Sequence, residues 1–457
     1  MALLTLLAVV ALGAALALIA MANPRPSDLT REEITSKALA KAKEALIAYA
    51  ATYQDTHTGQ VPGYLPCPDQ AGGNPEGAAE TNCGAKDVTV IGRLPWRTLG
   101  IEPPRDGAGE CLWYAVSGAF KNNPKTEIMN WDTPGQIEVY GPDGSTLMAG
   151  SQPENRAAAV IFAPGVALSQ DRQDDDPGTA QRPICSEDYA AARFLEAVGT
   201  INNATPNGTA GALTKMIAGN RSDAFNDRLL IVTGNEIFSA IERRSDFAPK
   251  LAGLAQSAAL CLTKYVELNT NYGSGDHRFP WTAPVALAAY TAEAYWDDAA
   301  GSLSGRFPYQ VETTAALTNP NSSSLAAASC PFRTGNVDEN WWKNWKDHLF
   351  YALGADFKPN APSPSPVACG TGCLRVNGTG GQVAVVMFAG KRLAGQTRAT
   401  DAAKGSLANY LEGRNLTNHP NTGGDGNYES GAATSAFNDV LWCASLSGGK
   451  PVTSPCP

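Results

Sequence analysis

Leu112-Trp-Tyr-Ala-Val-Ser-Gly-Ala-Phe-Lys-Asn-Asn-Pro124 is answered far downstream by Leu349-Phe-Tyr-Ala-Leu-Gly-Ala-Asp-Phe-Lys-Pro-Asn-Ala361. Working outward from this pair, further segments recur in the same order in the two halves of the chain. Ala157-Ala-Ala-Val-Ile-Phe-Ala-Pro-Gly165, followed by Gln170-Asp-Arg172, matches Gln382-Val-Ala-Val-Val-Met-Phe-Ala-Gly390, followed by Gln396-Thr-Arg398. Phe194-Leu-Glu196 matches Tyr410-Leu-Glu412, each ahead of an Asn- and Gly-rich loop. Ser222-Asp-Ala-Phe-Asn-Asp227 matches Ser435-Ala-Phe-Asn-Asp439, each leading into a strand-like run, at 229–233 and 440–444. An Ala-rich helical stretch at 39–53 has a counterpart at 251–269, and each runs through a Gly-bearing loop to an apolar-Pro step, Leu65-Pro66 or Phe279-Pro280. A fixed order of five related segments points to one unit used twice. The short apolar runs bounded by Gly and Pro suit buried strands, and the Ala-rich stretches suit helices. The expected fold class is therefore α+β, with helices packed on antiparallel sheet and long disulfide-bearing loops. Its expected divisions are a hydrophobic N-terminal segment at 1–29, a first lobe at 30–244 that includes an amphipathic helix, and a duplicated lobe at 245–457.

Length agrees with this division, because single hydrophobic cores stop growing near roughly 250–300 residues and this chain has 457. With 43% hydrophobic and 17% charged residues the chain has enough apolar material to fold. A net charge of −9 and no run of Lys or Arg remove the footprint that nucleic acid or anionic lipid would need. The ten cysteines, an even number spread over Gly/Pro-rich segments, read as disulfides made outside the cytoplasm. Cys67 and Cys83 are a candidate staple for the first Gly-rich loop. Cys369 and Cys373 have loosely zinc-like spacing, but no second pair lies near them, so a disulfide is the better reading. The remaining connectivity stays open.

Residues 1–22, MALLTLLAVVALGAALALIAMA, carry no charged side chain and as a helix can span the roughly 30 Å hydrocarbon layer. A signal peptide cut after Ala22, a permanent anchor and the apolar half of an assembly helix compete here. After Asn23-Pro24-Arg25-Pro26, Ser27 or Asp28 is placed to cap a new helix running from about 29 to 53. Ile34, Ala38, Ala42, Ala45, Leu46, Tyr49 and Tyr53 give it a narrow apolar stripe, with Lys37, Lys41, Lys43 and Glu44 around the rest. An apolar half-helix, a proline break, an amphipathic half-helix and a Cys-containing head together resemble type IV pilins and type II secretion pseudopilins, over residues 1 to about 53. The opening Met1-Ala2-Leu3-Leu4-Thr5-Leu6-Leu7 is similar to the mature start of the K-type minor pseudopilin. Gly63-Tyr-Leu-Pro-Cys-Pro-Asp69, with 92–100 and 106–113, resembles bacterial prepilin-like proteins.

The resemblance implies a structural filament subunit whose partners are other pilin or pseudopilin subunits, bound through residues 1–53. It implies residence in the inner membrane before assembly and a periplasmic or extracellular place afterwards, with the head free to meet a surface or a protein ligand. Thr5 stands where major pilins carry Glu, which implies a minor or tip position or a tolerated polar residue. The alternative is a secreted or membrane-anchored binding protein whose apolar start is only a signal or anchor.

No reaction is legible. His57, His277, His348 and His419 are scattered singly, and no nucleophile elbow, phosphate loop, dinucleotide fingerprint or zincin motif occurs. The expectation is therefore no enzyme, with no catalytic, cofactor-binding or metal-binding residue and no cofactor. Asp171, Asp174, Asp175 and Asp176 form the densest acidic cluster, with Asp338 and Glu339 a weaker one. They lack the alternation of a calcium loop and read as solvated surface. Trp341-Trp-Lys-Asn-Trp345 is the most aromatic point. It is either a sticky surface patch or, by its helical spacing, part of the core, and the core reading is preferred.

Overall fold

The computed structural model describes residues 28–70, 74–126, 128–168, 184–185, 188–268, 276–286, 302–308, 338–418 and 424–457. The apolar segment 1–22, Thr5, the acidic cluster at 171–176 and His419 lie outside the described residues. Among the described residues, helix α1 (Asp28–Thr56) comes first and packs on the first sheet. That sheet contains β1 (Val90–Arg93), β2 (Trp113–Val116), β3 (Ile137–Tyr140), β4 (Leu147–Ala149) and β5 (Ala157–Ala163). The short hairpin β6 (Ala197–Val198) and β7 (Ile201–Asn202) follows, then β8 (Thr214–Ile217) and β9 (Arg228–Thr233), which return to the sheet. Helices α2 (Gly234–Glu242) and α3 (Phe247–Leu268) carry the chain onward. The second sheet contains β10 (Ser304–Arg306), β11 (Leu349–Leu353), β12 (Leu374–Val376), β13 (Thr379–Phe388), β14 (Asn427–Tyr428), β15 (Val440–Ser447) and β16 (Lys450–Pro455), with α4 (Asp338–Trp345) before β11.

The strand pairing is duplicated residue by residue. In the first sheet Trp113 lies opposite Phe162 and Tyr114 opposite Ile161; in the second Phe350 lies opposite Met387 and Tyr351 opposite Val386. On the other side of the central strand, Ile161 faces Leu230 and Val386 faces Trp442. Parallel pairs β3–β8 and β12–β14 occupy matching places. The halves differ at their margins, where β4 flanks β3 in one and β16 flanks β15 in the other. Tyr114 donates its hydroxyl hydrogen to the Pro66 carbonyl (3.1 Å) and Tyr351 to the Pro280 carbonyl (3.3 Å), tying each apolar-Pro step to its sheet.

One further repeat is set by the edge strands. Gly92-Arg93-Leu94-Pro95 and Gly305-Arg306-Phe307-Pro308 occupy the same register, Gly92 opposite Tyr114 and Gly305 opposite Tyr351. Each arginine is buried between two rings: Arg93 at 4.9 Å from the Trp113 and 4.7 Å from the Phe194 centroid, Arg306 at 4.8 Å from both Phe350 and Tyr410. A cation between aromatic faces replaces part of its lost hydration through the ring quadrupoles. The glycines admit the neighbouring chain, since a Cβ would strike the Asp69 carbonyl oxygen at Gly92 and that of Ala283 at Gly305. Gly92→Ala and Gly305→Ala are each expected to lose about 1–3 kcal/mol of stability to overpacking, measured by urea unfolding.

Each central strand is buried on both faces, which is why β5 and β13 read as continuous apolar runs instead of alternating ones. Ala159, Ile161 and Ala163 face α1, while Val160 and Phe162 face Phe194, Leu195 and Met216 on the far side. In the second sheet Val386 and Phe388 lie on the α3 side, and Val385 and Met387 meet Tyr410 and Leu411. The two helix-side cores are one continuous hydrophobic cluster, joined through Trp131, Phe247 and Trp345.

Helix α1 buries Thr35, Ala38, Leu39, Ala42, Leu46, Ala50, Ala51 and Tyr53. The predicted stripe is corrected at its start: Ile34 is 41% exposed, because full burial begins at Thr35, and Leu39 and Ala50 belong to the covered face. Four disulfides join Cys67 to Cys83, Cys111 to Cys185, Cys369 to Cys373 and Cys443 to Cys456, and Cys261 is disulfide-bonded as well. Cys369 and Cys373 are thus a staple and not half of a zinc site. Among the described residues no helix is long and apolar enough to cross a membrane.

Candidate functional site

The Trp-rich helix α4 turns inward. Trp341, Trp342 and Trp345 are 4%, 1% and 1% exposed, so they are core residues and not a binding patch. Trp131 of the first half stands edge-on to Trp345, ring centroids 4.6 Å apart and planes at 84°. Such contacts add about 0.5–1.5 kcal/mol beyond burial. The seam is also polar: Asn344 accepts the Met129 backbone N–H (2.6 Å) and its carbonyl accepts the Asn130 side chain (2.8 Å).

Immediately after α4, Lys346, Asp347 and His348 are all buried. The His348 Nε2 lies 3.0 Å from Asp132 Oδ2, and its Nδ1 lies 3.0 Å from the Ala389 carbonyl. Asp132, on a first-half loop, also takes Arg392 Nε at 2.8 Å and Arg398 Nη1 at 3.3 Å. Burial works against ionisation of Asp132, but Arg398, His348 and Arg392 outweigh it and hold its carboxyl well below the usual carboxylate range. Arg398 is anchored in turn by the Gly390 carbonyl (2.9 Å), by the Asn409 carbonyl, and by the Tyr410 ring, 4.2 Å from its guanidinium carbon. Arg392 reaches Glu154 at 2.9 Å, and Thr397 donates to the same carboxylate at 2.8 Å. One first-half carboxylate thus locks three second-half side chains.

A cleft of about 470 Å³ opens beside this lock. Asp132 and Arg398 line it together with Asn130, Gln136, Arg156 and Lys404, so the two halves share it. Its size is in the range of small-molecule pockets, about 300–1,000 Å³, and its chemistry is hydrogen bonding and charge recognition. No family model, curated protein or solved structure matches this chain. The cleft and its lock therefore have to be judged on their own geometry.

Of the other sequence candidates, His57 stacks on Tyr53 with centroids 3.9 Å apart, and the His277 N–H donates to Ser365 Oγ (2.9 Å). Glu339 pairs with Lys343 at 2.9 Å. None of these joins the lock, and among the described residues no group of three or more His, Cys, Asp or Glu side chains is arranged to hold a metal ion. His348 is held between partners distant in the chain, the Asp132 carboxylate and the Ala389 carbonyl. Sequence reading missed Asp132, Arg392 and the charge pairing of Arg398, although Arg398 stood inside a matched segment.

Proposed function

We propose that the protein is a structural subunit of a type IV pilus-like or type II secretion pseudopilus-like filament, assembled through its N-terminal helix with the globular part exposed. The observation that carries this reading is the asymmetry of the two matching helices. Helix α3 presents mostly buried apolar residues to the second sheet. Helix α1, in the same role on the first sheet, leaves its first turns bare: Leu29 is 83% and Ile34 41% exposed. Uncovered apolar side chains at the start of a helix suit packing against another helix, and the sequence ahead of them is the uncharged stretch 1–22. The disulfides support assembly outside the cytoplasm. The inner membrane before assembly, then a periplasmic or cell-surface filament, is the location this reading requires. A non-enzymatic role goes with it.

A second reading, a secreted or anchored binding protein, is favoured by the shared cleft. The N-terminal residue separates the two. Mass spectrometry of the protein from sheared surface filaments, and separately from membranes, is expected to find a methylated Met1 in the filament fraction. A chain beginning at Asn23, or confined to membranes, overturns the filament reading and leaves the binding protein.

A further inference from the structure

Glu196 and Asp227 are buried together on the far side of the first sheet, and Glu412 and Asp439 are buried in the matching place on the second. Their surroundings agree closely. Asp227 Oδ2 accepts the Glu196 N–H (3.0 Å) and the Asn203 amide (2.9 Å); Asp439 Oδ2 accepts the Glu412 N–H (3.2 Å) and the Asn415 amide (2.9 Å). Glu196 Oε2 accepts the backbone N–H groups of Asn226 (3.0 Å) and Asp227 (3.1 Å), and Glu412 Oε2 accepts that of Asn438 (3.1 Å). Asn203 bonds both backbone groups of Ile217 (2.8 and 3.1 Å), and Asn415 both of Glu429 (2.9 and 3.0 Å). The remaining oxygen of each aspartate, Oδ1, is buried and meets no N–H or O–H donor. In each pair the aspartate carboxylate accepts the glutamate's own backbone N–H, so two buried carboxyl groups stand side by side with one oxygen left over. Two adjacent buried carboxyl groups cannot both ionise without a large cost, and one proton kept on the pair relieves it.

We propose that each half holds one proton between its Glu and Asp, and that this shared proton is a pH-sensitive latch pinning the loop after Glu196 or Glu412 to the start of β9 or β15. The latch joins three segments in each half: the one led by the glutamate, the one carrying Asn203 or Asn415, and the turn that delivers the aspartate into its strand. Charged side chains on the flanking segments are engaged elsewhere: Arg228 with Glu32 (2.9 Å), Lys391 with Glu242 (2.8 Å), Arg414 with Asp425 (3.1 Å), and Asp106 with the Gly165 N–H (2.7 Å). Gln396 donates to the outer oxygen of Glu412 (2.8 Å). Burial, reinforced by the partner glutamate, pushes both aspartates well above the usual range, and the proton belongs to the pair. A raised folded-state value means the latch is fully formed below the unfolded value, near 4, and is lost as pH rises through the folded value. The latch therefore opens from the alkaline side.

The test is infrared spectroscopy of the native protein near neutral pH, combined with urea unfolding across pH. A protonated-carboxyl carbonyl band is expected, reduced by about half in Asp227→Asn and in Asp439→Asn and removed in the double variant. An asparagine amide can donate to the partner glutamate with no titrating proton. The unfolding constant of the natural protein is expected to rise up to about tenfold per pH unit per pair above the unfolded value, and to be flatter in the double variant. Glu196→Gln serves as a second variant should an aspartate variant fail to fold. Absence of the band from the natural protein, or an unchanged pH slope in folded variants, overturns the latch.

Discussion

Asp132→Ala is expected to destabilise the protein by about 3–5 kcal/mol, the range for removing one partner of a buried charge cluster. The loss comes less from the missing attraction than from what stays behind. Arg398 and His348 are each fully buried and would keep their place without the carboxylate they meet, whereas Arg392 retains Glu154. Asp132→Asn keeps an acceptor and should lose less. Urea unfolding of both variants near neutral pH checks the order. A loss below about 1 kcal/mol for alanine would place the cluster with exposed ion pairs and remove the case for a lock. The pH dependence has a definite sign. The Asp132 carboxyl is depressed in the folded state, so its stabilisation is present above the unfolded value, near 4, and is lost as pH falls through the lower folded value. The carboxyl pairs act in the opposite direction, losing their contribution as pH rises. Together they bound stability from both sides.

What could be read in sequence was what neighbouring residues encode. The matched segments around Leu112 and Leu349, and around Ala157 and Gln382, carry the registers that pair Trp113 with Phe162 and Phe350 with Met387, because a strand's apolar run fixes which residues can be buried. Phe194-Leu-Glu196 and Tyr410-Leu-Glu412 are legible as a repeated segment, yet their chemistry lies in the glutamates, each placed beside an aspartate from another matched segment. Repetition of both acids was the available signal. The Ser222 match needed shifting by one residue: its counterpart is Thr434, since Ser222 N–H bonds the Phe225 carbonyl (2.7 Å) as Thr434 N–H bonds that of Phe437 (2.6 Å). The match of Gly92-Arg93 to Gly305-Arg306 is not legible in sequence because three- and four-residue edge strands carry no periodicity. The lock was illegible for a stronger reason. Asp132 has no counterpart among the matched segments, and nothing local indicates that a loop of one half will meet a histidine of the other.

Trp345→Ala is expected to lose about 3–5 kcal/mol, the range for removing a large buried aromatic, and its effect should not stay in the second half. Trp345 touches Trp131 and Phe238 from one side of the seam and Phe247 and Phe388 from the other, with His348 5.4 Å away. A cavity here loosens the contact that joins the two helix-side cores into one cluster. It also removes the ring that abuts His348, so Trp345→Ala and Asp132→Ala should be non-additive, with a coupling of about 0.5–3 kcal/mol. The natural protein should unfold in one transition by circular dichroism and by fluorescence, and Trp345→Ala should shift both together. If the two halves were independent bodies that merely touch, the variant would lower the second-half transition alone and leave the first unchanged. That outcome would also separate the lock from the fold: Asp132 would then join two domains, and the cleft beside it would open and close with their motion instead of being a rigid feature of one folded unit.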